Sequence, residues 1–378
     1  MSINVFPQLL KITKTPEGAV VVDYQDLVRG ADVAESIKEA FGFDNQCLGV
    51  ILVRNLPLEY PELRSRLLRL ASVFAALSDE AKEKTVDAQS NYSFGWSCGK
   101  EVMNGKPDTL KGSYYNNPTT DKPMTPADLA PLFPETCNPN IWPSEDLPEL
   151  EIAFKELGRF IVDVGKLLAK ACDEFVATKV PKYDPTYLQR IIADSQTHKA
   201  RLLHYFPAET DLNGQNEAAD SWCGWHCDHS SLTGNSILGI PCLSSFIATT
   251  NSHTPNAGLT SAMFIDEIAT PGAFTEIPCP DSQAGLYIRN RGGDLVRISI
   301  PRDALAFQTG EALQRATKNH LAATPHCVRG ITKGGRGVAR NTFAVFMQPP
   351  LTEFVDEGIT FAQFSRDIIN SHYDSGKK

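Results

Sequence analysis

From about residue 191 onward the chain breaks into short apolar runs divided by turn residues. Residues 200–206, 236–240, 245–249, 259–265, 285–289, 294–300, 304–309 and 342–347 each read as a strand. So many short strands in succession predict an all-β barrel or a double-sheet jelly roll, two ways of limiting exposed sheet edges. The N-terminal half reads differently. Gly18 to Asp23 and Leu48 to Val53 predict strands, and Ala31 to Phe41 a helix. Pro61 to Leu77 repeats leucine and phenylalanine at helical spacing, with Pro61 suited to a first turn. The clearest stripe is Leu150, Phe154, Leu157, Ile161, Val164, Leu168, Ala171 and Phe175, which predicts a long scaffold helix packed on a sheet. Residues 361–372 predict a terminal helix, with Phe361, Phe364 and Ile368 on one side.

The chain shows no internal repeat, low-complexity tract or linker, so a single composite domain over 1–378 is expected. Residues 1–190 form its N-terminal helical and α+β region, 191–350 its strand-rich core with an insert at about 235–284, and 351–378 its C-terminal helix. A net charge of −9 disfavours nucleic acid and anionic membrane surfaces as partners and leaves a small molecule. No stretch approaches eighteen apolar residues, and the N-terminus lacks the long apolar region of a secretory signal. Nine scattered cysteines, an odd number without framework spacing, read as reduced thiols. A cytoplasmic protein is the expectation. The pattern does not set its oligomeric state.

His226-Cys227-Asp228 carries the chemistry. Residues i and i+2 of a strand point the same way, so His226 and Asp228 can reach one point while Cys227 faces away. His326 would complete a triad of two histidines and one carboxylate, the ligand set that favours non-haem Fe(II) and oxygen chemistry. Arg340-Asn341-Thr342 follows on an apolar strand, where the arginine supplies a fixed fork for a carboxylate. Other readings compete. Cys223, His226, Cys227 and His229 are spaced closely enough for zinc but lack a second paired knuckle, and His229, at i+3, leaves the strand face. Arg336 competes with Arg340 but has neither the hydroxyl residue two positions on nor the apolar strand behind it. Lys100, Lys111, Tyr114, Tyr115 and Asn116, in a stretch rich in glycine, proline and asparagine, are exposed loop residues or substrate contacts.

His-x-Asp, a distant His and then Arg-x-Thr, together with PRDALAFQTGEALQRATKNHLAATPHCV and ARNTFAVFMQP, resemble the isopenicillin N synthase-like branch of the Fe(II)- and 2-oxoglutarate-dependent dioxygenases. VVDYQDL and the helix before DEAKEKT resemble its N-terminal region more loosely. The resemblance implies an α+β fold, with a double-stranded β-helix (jelly-roll) core wrapped by N-terminal helices and a C-terminal helix. It further implies that His226, Asp228 and His326 are catalytic and bind Fe(II), and that Arg340 and Thr342 hold the distal carboxylate of 2-oxoglutarate. The cosubstrates would be 2-oxoglutarate and O2, with ascorbate as a reductant. Such an oxidoreductase would hydroxylate or desaturate a small organic molecule while converting 2-oxoglutarate to succinate and CO2. His204 and Phe206 stand in HYFP, where the family has Asn-Tyr-Tyr-Pro, so both are expected to face the cosubstrate with Leu202. Phe206 lacks the tyrosine hydroxyl, and that leaves open an Fe(II) oxidase that does not use 2-oxoglutarate and whose arginine binds the substrate carboxylate. A non-catalytic jelly-roll binding module is the reading from another class. After Gly234 the chain inserts roughly fifty residues where the family has a short stretch.

Overall fold

The computed structural model describes residues 11–100, 102–103, 106–207, 223–227, 258–268, 272–331 and 335–367. The expected strands at 236–240 and 245–249 and the helix beyond residue 367 lie outside the described residues.

The chain opens with β1 (Thr13–Lys14), β2 (Val20–Asp23), α1 (Tyr24–Val28), α2 (Ala34–Phe41) and β3 (Val50–Arg54). Next come α3 (Tyr60–Ala75), α4 (Asp79–Glu83), β4 (Gly95–Cys98), β5 (Val102–Met103), β6 (Lys106–Pro107) and β7 (Lys111–Asn116). Three helices, α5 (Pro134–Cys137), α6 (Glu149–Ala177) and α7 (Tyr187–Asp194), lead into β8 (Lys199–Tyr205) and β9 (Cys223–His226). The strands β10 (Gly258–Thr260), β11 (Met263–Asp266), β12 (Glu276–Ile277), β13 (Gly285–Arg289), β14 (Leu295–Ile298) and β15 (Leu305–Gln308) follow. Last are α8 (Glu311–Ala316), β16 (His326–Arg329), β17 (Val338–Phe346), β18 (Phe354–Asp356) and β19 (Ile359–Thr360), with residues 361–367 helical.

Two sheets position the site. The larger runs β1-β2-β3-β15-β10-β17-β8-β7-β4, and β11 also joins β17 and β12; the smaller runs β14-β13-β16-β9. Pairing is antiparallel except between β2 and β3. One face of the large sheet carries Ile51, Val53, Phe307, Phe343 and Val345, which pack with Leu157, Ile161 and Leu168 of α6. Every member of the α6 stripe read from the sequence is buried. Burying a side chain of that kind stabilises the fold by about 1.5–3 kcal/mol. The Phe154 and Phe343 rings meet edge to face with centroids 4.9 Å apart. Gly165 allows the close approach, since a Cβ there would stand 2.3 Å from Met347 Sδ. On the opposite face, Val50, Leu52 and Ala306 pack against Leu286, Ile288 and Ile298 of the small sheet.

The strand expected over 259–265 is two strands. Leu259 pairs with Ala344 and Met263 with Asn341, so the chain carries one residue more than β17 across this stretch. The carbonyls of Ser261 and Ala262, turned out of the ladder, accept instead from Arg64 of α3, its Nε at 3.2 Å and its Nη2 at 3.0 Å. An N-terminal helix therefore anchors the break.

Candidate active site

A cavity of about 310 Å³ lies between the two sheets, within the size range of small-molecule sites. His326 and Val328 of β16 and Leu286 and Ile298 of the small sheet line one wall; Leu203, Tyr205, Arg340 and Thr342 of the large sheet line the other. Ser261, Glu276, Cys279, Arg297 and Arg302 add polar groups.

The register sets His326 of β16 opposite His226 of β9, with an irregularity between His326 and Val328. His326 is 5% exposed, and its Nδ1 lies 3.2 Å from the Thr324 carbonyl oxygen. A carbonyl only accepts, so Nδ1 carries the proton and donates. In the neutral ring Nε2 then keeps a lone pair, the form in which a histidine binds metal. Asp228 and His229 lie outside the described residues, and Cys227, next to His226, is half-buried.

Arg340 and Thr342 share a face of β17 and are buried at the cavity wall, with the Arg340 guanidinium carbon 5.0 Å from the Tyr205 ring centre. Asn341, between them, points the other way. Its Nδ2 donates to the Leu68 carbonyl and to Ser72 Oγ, each at 2.8 Å, which ties β17 to α3. Arg336 is exposed and does not line the cavity.

The structure corrects the expectation for His204 and Phe206. Tyr205 pairs with Arg340 and Leu203 with Thr342, so Leu203 and Tyr205 line the cavity. Leu202 packs on the helix side, and so does Phe206, whose ring meets that of His204 edge-on with centroids 4.7 Å apart. His204 Nδ1 donates to Asn341 Oδ1 at 2.8 Å; burial holds the ring's pKa down to about 4, against the opposing pull of the Asn341 bond. It is a neutral packing residue. The error is one of parity: a shift of one residue reverses every side chain of a strand, and β8 is buried along its whole length, so no polar alternation marks its inner face. The tyrosine hydroxyl that Phe206 lacks is present at Tyr205, on the cavity wall.

Long-range partners escaped the sequence altogether. Arg64 Nη1 and Nη2 donate to Glu276 at 3.2 and 2.9 Å, a partly buried bidentate pair between residues 212 apart in the chain. Arg302 joins Glu276 from the solvent side at 3.2 Å. Burial pushes the Cys279 thiol up, opposed first by its bond to the Asp281 backbone and then by Arg297 and Arg340. Of the substrate-contact candidates, Lys111 is paired with Asp108 in a buried ion pair, while Tyr114 and Asn116 bond the Ile141 carbonyl. Tyr115 packs against Arg201, and Lys100 stands over the Tyr92 ring. None of the five lines the cavity. Cys47, Cys98, Cys137, Cys172, Cys227, Cys279 and Cys327 are free thiols, and among the described residues no helix is long and apolar enough to cross a membrane.

No family model and no curated protein matches the chain in sequence. Solved structures do match. A full-length protein from Neurospora crassa, in complex with alpha-KG and 5-formyluracil, is 17% identical, with 91% of this chain and 89% of that one covered and a TM-score of 0.59. A putative 2OG-Fe(II) oxygenase family protein from Caulobacter crescentus is 18% identical over 90% and 88% of the two chains, with a TM-score of 0.58. The 2-oxoglutarate complex of dioxygenase for auxin oxidation 1 from Arabidopsis thaliana is 12% identical over 89% and 94%, with a TM-score of 0.54. Mixed helices and sheets enclosing a cavity, and a likeness that runs through nine-tenths of the chain, give this protein the fold of the 2-oxoglutarate and Fe(II) oxygenases.

Proposed function

We propose that the protein is a non-haem Fe(II)- and 2-oxoglutarate-dependent oxygenase that hydroxylates or desaturates a small organic molecule. One observation carries this: a single cavity has His326, opposite His226 in register, on one sheet and the paired Arg340 and Thr342 on the other. His226, Asp228 and His326 would hold the iron, and Arg340 and Thr342 the distal carboxylate of 2-oxoglutarate. With both bound, the site would supply oxidative decarboxylation to succinate and CO2 and an oxidant for a substrate C–H bond. The chain's own part is orientation. The Thr324 carbonyl fixes the His326 tautomer, and the fork of Arg340 sets the direction of a carboxylate. Tyr205 on the cavity wall favours 2-oxoglutarate over an oxidase that does without it. In the same reading the two sheets form a jelly-roll core of the isopenicillin N synthase-like branch, in one composite domain acting in the cytoplasm. The Neurospora crassa protein, bound to alpha-KG and 5-formyluracil, supports both the cosubstrate and a small substrate.

Calorimetry on the Mn(II)-loaded protein should record 2-oxoglutarate binding, and the Fe(II) protein in air should release succinate. His326→Ala should abolish that release. Absence of both binding and succinate across a broad substrate panel would overturn the assignment.

A further inference from the structure

Arg297 stands on β14, the edge strand of the small sheet, and reaches the cavity with its Nε donating to the Ala284 carbonyl at 3.0 Å. That bond fixes the plane of the guanidinium. Its two terminal amino groups make no hydrogen bond or ion pair with any described residue. They form the half of a fork that a carboxylate takes side-on. Arg340 works from the facing sheet, and both guanidiniums act on the Cys279 thiol.

The charges point the same way. Among the described residues, three arginines and one carboxylate line the cavity, and the carboxylate, Glu276, is already held by the buried Arg64 behind the wall. Iron, Asp228 and a dianionic cosubstrate together would bring one net negative charge, which offsets Arg340. Among the described lining residues Arg297 is left without a counter-charge. Around it the lining is apolar, with Leu286, Ile298, Ile300 and Phe264.

We propose that Arg297 recognises the primary substrate, a small and largely apolar monocarboxylic acid whose carboxylate takes the two terminal amino groups. The assignment rests on the oxygenase reading, and its test separates the two. Octanoate, phenylacetate, 4-phenylbutyrate and their primary amides are titrated calorimetrically into the protein loaded with Mn(II) and 2-oxoglutarate, and in parallel into the metal-free protein. At least one acid should bind about tenfold tighter than its amide. Arg297→Gln should bring that ratio to within about twofold and leave 2-oxoglutarate affinity within about twofold. Arg340→Gln should instead weaken 2-oxoglutarate by at least about tenfold and keep the ratio. If Arg297→Gln loses its native circular dichroism, Arg297→Lys decides, because it keeps the charge and loses the fork, and the ratio should fall several-fold. Acids that bind no better than amides overturn the assignment. So does an Arg297→Gln protein that loses 2-oxoglutarate as severely as Arg340→Gln, which would give Arg297 to the cosubstrate. A wild-type protein that discriminates acids from amides but takes up no 2-oxoglutarate supports Arg297 and removes the oxygenase reading instead.

Discussion

His204 donates from Nδ1 to Asn341 Oδ1 across 2.8 Å, on the faces of β8 and β17 turned away from the cavity. The same Asn341 donates to Leu68 and Ser72 of α3. One side chain thus ties the strand of Arg340 and Thr342 both to its neighbour and to the helix behind it.

Asn341→Ala removes three buried hydrogen bonds and leaves His204 Nδ1 without its acceptor. Buried donors stranded in this way cost about 1–3 kcal/mol each, so a loss of about 2–4 kcal/mol is expected. Urea unfolding measures it. A loss of less than about 1 kcal/mol would mean that water replaces the network.

His198 and His204 are buried with pKa values held down to about 4, mainly by desolvation, against an ordinary value of 6.5. Their neutral forms stabilise the fold fully above pH 6.5, and that contribution is lost as pH falls through 4. Each is worth at most about 3 kcal/mol. Asp173 opposes the trend, because burial raises its carboxyl to about 6, so the folded state takes up that proton more readily than the unfolded chain as pH falls. Melting temperatures between pH 7 and 4 should decline less steeply for His204→Asn than for the wild type; identical slopes would remove His204 from the account.

Arg64→Ala strands the carbonyls of Ser261 and Ala262 and leaves Glu276 to Arg302 alone. Each buried acceptor stranded in this way costs about 1–3 kcal/mol, so a loss of about 2–4 kcal/mol is expected. The double variant Arg64→Met with Glu276→Leu should recover only part of that in a thermal melt, because the two carbonyls stay without a donor.

Arg340→Lys keeps the charge and loses the fork. Calorimetry should show 2-oxoglutarate binding weakened by about tenfold or more, with the melting temperature little changed. Thr342→Val, which removes one hydroxyl, should weaken it by less, in line with about 1 kcal/mol for one hydrogen bond.

Much of the fold was legible because it follows from periodicity. The stripe from Leu150 to Phe175 gave α6 to within two residues, and Gly285 to Arg289 gave β13 at its observed ends. Arg340 and Thr342 were legible as a pair because two residues apart on any strand means one face. His226 and His326 could be paired only by residue type, and their register came from the folded sheet.

By itself, the sequence determined the long helix α6, the strand β13 and which residue types could serve a metal and a carboxylate, since these depend on local spacing. Only the tertiary structure decided that Tyr205 and not Phe206 lines the cavity, that Arg64 reaches Glu276, and that Arg297 reaches the cavity from the edge strand of the small sheet. A strand buried on both faces carries no alternation to mark its inner side. Pairs far apart in the chain are fixed only when the sheets and helices close on one another, through packing that no local pattern records.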